Sequence, residues 1–395
     1  MKIAIVLDHF DANRGGAEHW TVQFAGRLMN RGHEVHVVSE SFCAPQQSNG
    51  ATAAGTIHWL PIPRTGARLK RAATIESLLR GKNVDVIHDM GVGWYCDVFQ
   101  PHGGSRRAAF ERNLSLTYSV LRPLKRRFAK WLPRYREFDR LMRRQYQGNK
   151  LFLAISRMVE RDFHQYHNLP ETSVRRVYNG VDTDKFHPVR HRAARQSIRN
   201  RLRIDDDEVV FLIVAHNLRL KGLPALMRAF ARLTRDGARC RLVVVGGKRF
   251  ASHALRAKRL GISHAVAFEG IVNNTEEYYA AADAYVQPGL YDPFGLVVLE
   301  AFSSGLPAIT SSCTGASELI DPGRHGFVID DPQDDALLAA AMTRMLDEAQ
   351  RHTMGQAVRR LALEHSFDKN VDDVIAVYNE IIENRRRSSR PKQAA

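Results

Sequence analysis

A chain of 395 residues is too long for one ordinary hydrophobic core and suits two domains of nearly equal size. With 44% hydrophobic and 25% charged residues, and no apolar run near the roughly 18 residues needed to cross a bilayer, the expectation is a globular protein that is soluble or peripheral. Four scattered cysteines, Cys43, Cys96, Cys240 and Cys313, form no CxxC pair, which argues against a zinc site or a disulfide framework and for a reducing cytoplasm, while the net charge of +16 asks for an anionic partner.

Residues 3–7 form the first apolar strand, too short for a signal-peptide core and followed by polar residues. Next comes Asn13-Arg14-Gly15-Gly16-Ala17-Glu18, a turn leading into a helix over 20–30. Gly15 and Gly16 allow a phosphate to approach the backbone at that helix start, although the turn lacks the GxGxxG fingerprint and a strand-to-helix turn often needs glycine anyway. Strands over 34–39 and 84–88 continue an alternation with helices that implies a parallel sheet. After a strand-like segment at 95–99, Gln100-Pro101-His102-Gly103-Gly104 should lie at the carboxyl edge of that sheet. His102 there is suited to hydrogen bonding or to relaying a proton near neutral pH, as well as to a purely structural role.

Residues 106–144 carry thirteen Lys or Arg against three acids, with Phe110, Leu114, Leu121, Leu124, Phe128, Trp131, Tyr135, Phe138 and Leu141 at helical spacing. Pro123 and Pro133 divide the stretch into two or three helices. Two readings stand: a basic amphipathic surface for an anionic membrane, or an apolar face packed on the core beneath solvated arginines. Nucleic acid is not expected, because no reading module or base-stacking motif accompanies the charge.

A strand at 151–156 and the turn Asn179-Gly180 lead to a basic helix over 190–202 and the acidic turn Asp205-Asp206-Asp207. A second alternating series follows, with strands at 209–215, 241–245, 265–269, 284–287 and 308–310. The amphipathic helix over 367–382 precedes a basic tail, 385–395, expected to be disordered.

Chemistry concentrates in the stretch from Tyr291 to Ala301. Pro293 suits a first helical turn and Asp292 can cap it, so the N–H groups of Phe294, Gly295, Leu296 and Val297 are expected to point outward at the positive end of the helix dipole. That arrangement favours an anionic or hydroxyl-rich ligand. Glu300 lies in an apolar run and needs a partner, an arginine or a ligand.

The segment resembles the donor-binding motif of the retaining glycosyltransferase family GT4, which reads Glu, seven residues, Glu. Asp292 stands in the first place and Glu300 in the second. Asn179-Gly180-Val181-Asp182 with Phe186-His187-Pro188, the loop from His216 to Gly222, Gly246-Gly247 and the loop from Thr314 to Leu319 extend the resemblance in the family's order. It implies α/β architecture of the GT-B class, two Rossmann-like domains facing each other across a cleft. The implied limits are an acceptor domain over 1–180, a nucleotide-sugar domain over 181–366 and a helix over 367–384 crossing back to the first. It also implies that Asp292 contacts the transferred sugar, Glu300 holds the ribose, Arg219 and Lys221 grip the diphosphate, His102 sits beside the reacting sugar and Gly246 lies where the nucleotide approaches the sheet.

Two fixed cations would stabilise the charge that builds on a departing diphosphate, so no metal and no cofactor beyond a UDP-sugar substrate is expected. Asp182-Thr183-Asp184 and Asp205-Asp206-Asp207 look like metal-binding acids but lie in a linker and before a strand, and read as structural. The expectation is therefore transfer of a hexose from UDP-glucose or a related donor to a glycan or glycolipid, as in lipopolysaccharide core synthesis at the inner face of the cytoplasmic membrane. Rival readings are a non-catalytic sugar-nucleotide binder, a soluble synthase of sucrose or glycogen type, a dehydrogenase and a nucleic-acid-binding protein.

Overall fold

The computed structural model describes residues 1–43, 56–115, 121–248 and 250–389, which form two compact units with separate cores. The first unit comprises Met1–Tyr178 and the chain from Asn370 onward. Its strands are β1 (Lys2–Val6), β2 (His9–Phe10), β3 (Glu34–Ser39), β4 (Ser41–Phe42), β5 (Ile57–Pro61), β6 (Val86–Asp89), β7 (Val98–Phe99), β8 (Leu151–Ala154) and β9 (Val174–Arg176). Strands β2 and β4 pair with each other; the other seven make one sheet in the order β5-β3-β1-β6-β7-β8-β9, and every pairing is parallel. Ile3, Ala4, Ile5 and Val6 are all fully buried, the mark of a central strand covered on both faces. The covering helices are α1 (Gly16–Asn30), α2 (Arg68–Leu79), α3 (Arg106–Ser115), α4 (Arg122–Trp131), α5 (Pro133–Gln145) and α6 (Arg157–His167).

The second unit, Asn179–Lys369, repeats the plan. Strands β10 (Val209–Val214), β11 (Cys240–Val245), β12 (Val266–Gly270), β13 (Ala284–Gln287), β14 (Ala308–Ser311) and β15 (Gly326–Ile329) form a parallel sheet in the order β12-β11-β10-β13-β14-β15. Helices α7 (Arg192–Arg201), α8 (Leu223–Arg235), α9 (Ala251–Arg259), α10 (Thr275–Ala281), α11 (Leu296–Ser303), α12 (Asp335–Arg344) and α13 (Glu348–Glu364) accompany it. Leu223, Leu226, Met227, Phe230 and Leu233 on one face of α8 join Phe211, Ile213, Leu338 and Met342 in its core. Each such side chain contributes about 1.5–3 kcal/mol by leaving water.

Strand order reverses between β1 and β6 in one sheet and between β10 and β13 in the other. Loops leaving the carboxyl ends at such a reversal diverge and open a crevice where ligands bind in this architecture. In the second sheet that reversal lies at the ends of β10 and β13.

The last helix, α14 (Phe367–Ser389), belongs to the first unit from Asn370 on. Val371, Val374 and Tyr378 are buried, the Tyr378 hydroxyl lies 2.6 Å from Nδ1 of His88, and Glu380 meets Arg175 at 2.7 Å. An unstructured tail beginning at residue 385 is corrected by this helix. Arg385 donates to the carbonyl of Asp85 at 2.7 Å and pairs with Asp97, which holds another turn in place; residues 390–395 lie outside those described.

Both prolines of the basic stretch start helices, Pro123 in the first turn of α4 and Pro133 at the head of α5. The apolar residues of this stretch are only partly packed on the core. Leu114 and Leu141 are buried and Phe110 meets Tyr135, whereas Leu121, Leu124, Phe128 and Trp131 are exposed, Trp131 by 69%.

Candidate active site

Three loops at the carboxyl edge of the second sheet converge because glycines leave room for them to touch. Gly222, at the start of α8, has φ 83°, and a Cβ there would lie 1.9 Å from the carbonyl oxygen of Pro288. The loop after β10 therefore rests on the loop after β13, and the N–H of Leu290 donates to the carbonyl of Leu220 at 2.8 Å. Gly295 has φ 88°, and a Cβ on it would stand 2.7 Å from Cγ2 of Thr314 in the loop after β14. Any other residue at either position would force the loops apart.

This packing sets Lys221 beside Asp292, whose Oδ2 accepts from the lysine ammonium and, at 3.0 Å, from Nε2 of Gln287. The main chain of Asp292 is pinned as well, donating to Cys313 at 3.0 Å and accepting from Gly315 at 2.9 Å. The expected helix start is corrected at this point. Helix α11 begins at Leu296 with Gly295 in the cap position, so Asp292 and Pro293 precede its first turn and the aspartate carboxylate serves Lys221 and Gln287 instead of a cap. Phe294 is buried, and its carbonyl accepts from Ala316 N–H at 2.6 Å. Leu296 and Val297 form the first turn of α11, and Val298 N–H closes back onto Gly295 at 2.9 Å.

Glu300 projects from the same helix, half-buried, and its partner is a tyrosine. The Tyr279 hydroxyl donates to Oε2 at 2.8 Å. Burial raises the carboxyl above its usual range, the Tyr279 bond and Lys185 pull it down, and Glu276 pushes it up. Arg219 is exposed, and its side chain makes no hydrogen bond or ion pair with a described residue. Gly246, at the end of β11, has φ 93°, and a Cβ would come within 2.2 Å of the Ala215 carbonyl oxygen; its lack of a side chain is already required by the neighbouring strand end. Lys221 and Asp292 thus meet beside the loop that leads into α11, an ammonium and a carboxylate able to hold an anion and a hydroxyl group.

The remaining expected residues lie in the first unit. Gly15 precedes α1 in extended conformation, and Glu18 folds back so that its Oε2 would stand 2.8 Å from a Cβ on Gly15. Gly16 opens the helix. His102 rests against the Trp20 ring, 4.5 Å between centroids, and burial lowers its pKa to about 4. Its Nε2 is buried without a hydrogen-bond partner among the described residues. A neutral imidazole with an unused nitrogen can give or take one hydrogen bond.

Three supporting residues escaped the sequence reading. Tyr285 and Gln287 stand on β13 behind Asp292, the phenol donating to Oε1 of Gln287 at 2.8 Å. Alternation along a strand is their signal, since both point to one face of a sheet whose edge carries the site. Asp89 ends β6 and accepts from the N–H groups of Gly91, Val92 and Gly93 at 2.8, 2.6 and 2.7 Å, shaping the loop that packs on Pro101 beside His102. Its signal was an aspartate just ahead of a Gly-x-Gly. Asp182 accepts from the N–H groups of Asp184 and Lys185, and Asp205 and Asp207 pair with Arg239. Among the described residues no group of three or more His, Cys, Asp or Glu is placed to hold a metal ion.

Two family models match the chain in succession, Glycosyltransferase Family 4 over residues 14–185 and Glycosyl transferases group 1 over residues 194–361. The chain belongs to glycosyltransferase family 4. It is a glycosyltransferase. It is 26% identical over 380 residues to a GDP-mannose-dependent alpha-(1-6)-phosphatidylinositol monomannoside mannosyltransferase of Mycobacterium tuberculosis, spanning 91% of this chain and 92% of the relative. Over 231 residues it is 28% identical to the uncharacterized glycosyltransferase MJ1607 of Methanocaldococcus jannaschii, covering 57% of this chain and only 59% of that protein. Among solved structures, WaaG, a glycosyltransferase involved in lipopolysaccharide biosynthesis, superposes with a TM-score of 0.77 at 19% identity, over 95% of this chain and 99% of that one. That likeness bears out the expected architecture of two Rossmann-like domains of the GT-B class.

Proposed function

We propose that the enzyme moves a hexose from a nucleoside diphosphate donor, UDP-glucose or a related UDP-hexose, to a hydroxyl of a glycan or glycolipid, with retention at the anomeric carbon. The observation that carries this reading is the meeting of Lys221, Asp292 and the start of α11 at the strand reversal of the second unit. In the proposed roles Lys221 and Arg219 take the diphosphate, Asp292 a hydroxyl of the hexose and Glu300 the ribose, while His102 binds a sugar hydroxyl. The acceptor oxygen bonds to the anomeric carbon on the face from which the diphosphate oxygen departs, and the acceptor's proton passes to that leaving oxygen. Catalysis then rests on stabilising the leaving charge, with neither an enzymic nucleophile nor a metal.

A glycolipid acceptor fits the exposed face of α4, where Leu124, Phe128 and Trp131, with Leu121 just ahead of the helix, stand among Arg122, Lys125, Arg126 and Arg127. Apolar side chains that enter the headgroup layer beside cations suit an anionic membrane surface. No described helix is long and apolar enough to cross a membrane. A lipopolysaccharide-core acceptor is the specific form of this proposal.

A GDP-mannose donor is the second reading, favoured by the similarity to the mannosyltransferase over most of the chain. A panel of nucleotide sugars, followed by thermal shift and by hydrolysis without acceptor, separates the two. UDP-glucose should raise Tm and release UDP, and Lys221→Ala should abolish release. Shifts with GDP-mannose alone would move the assignment to the second donor, and shifts with NAD or DNA alone would end it.

A further inference from the structure

Gln287 is the last residue of β13, fully buried, opposite Thr310 in the sheet register. Its main-chain carbonyl accepts from Oγ1 of Thr310 at 2.9 Å and from Gly289 N–H at 2.8 Å, so the residue has little room to shift. Two residues back on the same face, the Tyr285 hydroxyl donates to Oε1 of Gln287 at 2.8 Å, and Nε2 of Gln287 donates to Oδ2 of Asp292 at 3.0 Å.

The direction of this chain is fixed by chemistry. Burial, with Glu300 and Asp292 nearby, pushes the Tyr285 phenol well above its ordinary range, so it keeps its one proton. The Asp292 carboxylate can only accept, so the amide N–H must face it and the amide oxygen is left for the phenol proton; the reverse orientation would set the amide oxygen against the carboxylate.

Oδ2 of Asp292 consequently serves two donors, Gln287 and Lys221, while Oδ1 accepts no hydrogen bond from a described residue. The two donors differ in permanence. A lysine ammonium on a flexible stem can re-aim toward a diphosphate, whose charge exceeds that of one carboxylate. Once it has left, a mostly buried carboxylate needs another partner to remain charged and in place. Aspartate is one methylene shorter than the glutamate of the family motif, and the shorter arm keeps the carboxylate within reach of an amide at the strand end.

We propose that Gln287 is a positioning residue for the donor sugar: it holds Oδ2 of Asp292, presents Oδ1 to a hydroxyl of the hexose, and retains the carboxylate when the diphosphate draws Lys221 away. The proposal rests on the donor-site reading of Lys221 and Asp292.

The test is acceptor-independent hydrolysis of UDP-glucose, or of GDP-mannose if the panel selects it, across pH 5 to 8. Gln287→Leu should lower kcat by about ten- to a hundred-fold, with affinity for the nucleoside diphosphate unchanged. Gln287→Glu is the diagnostic variant. At neutral pH its carboxylate faces that of Asp292 and turnover falls; on acidification the protonated Glu donates as the amide did, and turnover recovers toward pH 5. Asp292, Lys221, Tyr285 and Glu300 are the titratable groups around it, and they are common to wild type and to Gln287→Leu, neither of which should show this recovery.

Asp292→Asn in the same assay separates the two levels of the argument. If it turns over like wild type, the donor-site reading itself fails. If it is inactive while Gln287→Leu keeps wild-type kcat, or while Gln287→Glu follows the wild-type pH profile, only the role of Gln287 is overturned. Should the Leu variant not fold, the Glu profile alone decides.

Discussion

Gly222 holds the site together without touching a ligand. Its φ of 83° lies where side chains are strained, and a methyl group would press into the Pro288 carbonyl oxygen from 1.9 Å. Gly222→Ala should cost about 3 kcal/mol or more and separate Lys221 from Asp292, read as a drop in Tm together with loss of donor hydrolysis. Glu300 shows the opposite coupling between stability and function. Burial raises its carboxyl, so the folded state holds that proton to higher pH than the unfolded chain does, and the ionised form costs stability at neutral pH. Glu300→Gln should raise Tm by about 1–3 °C at pH 7 while weakening nucleotide binding. In the wild type, affinity should decline as pH falls through a range above that of an exposed glutamate, and in the variant titration calorimetry should find it flat. A variant that melts lower, or a wild-type affinity independent of pH between 4 and 7, would break the link. Asp292 and Glu300 could be singled out because their spacing in the chain is itself the motif, and Lys221 because it directly precedes Gly222. Gln287 and Tyr285 were not, because a polar residue on a central strand explains itself only once the loop facing its side chain is known.

Helix α4 shows how far composition reaches at the level of an element. Helical spacing and two prolines divide residues 106–144 into two or three helices, and the structure has three, α3, α4 and α5. They could not assign each apolar residue to core or surface, because a 3.6-residue period states that one face is apolar and not what that face meets. The structure buries Leu114 and Leu141 and leaves Phe128 and Trp131 exposed by 63% and 69%. Removing exposed rings should cost little stability, so Phe128→Ser with Trp131→Ser is expected to keep Tm within about 2 °C while abolishing sedimentation with vesicles containing phosphatidylglycerol. Vesicles of phosphatidylcholine alone should bind the wild type weakly, and added salt should release it from the anionic ones. Retained binding by the double variant would assign the charge of this stretch a role other than membrane attachment.

Across the whole molecule the two units repeat one architecture but distribute their titrating groups differently. Burial lowers His88 to about 3, His102 to about 4 and His167 to about 4, all in the first unit, against an ordinary value of 6.5. Such groups stay neutral in the folded chain and take up protons on unfolding, so stability rises with pH wherever the unfolded state binds more of them. Their contribution is complete above pH 6.5 and is lost as pH falls toward 4. Asp89, raised to about 6 by burial, and Asp97, also raised by burial, work against this, but they are two carboxyls against three histidines and His33, which burial lowers as well. In the second unit His187, His253 and His325 are also lowered by burial, but of these only His325 is itself buried. In the proposed function the donor binds the other unit, where ligand at a hundred times its Kd would add about 2.7 kcal/mol. Hydrogen exchange at pH 7 and pH 5, with and without UDP, should therefore resolve two responses. Acid should open amides of β1, β6 and α14 first, and UDP should protect α8 and α11 while leaving the acid response of the first unit in place. If acid opened the second unit first, the buried histidines would not be the source of acid sensitivity. If UDP protected only the first unit, the donor site would have to be sought away from Lys221 and Asp292.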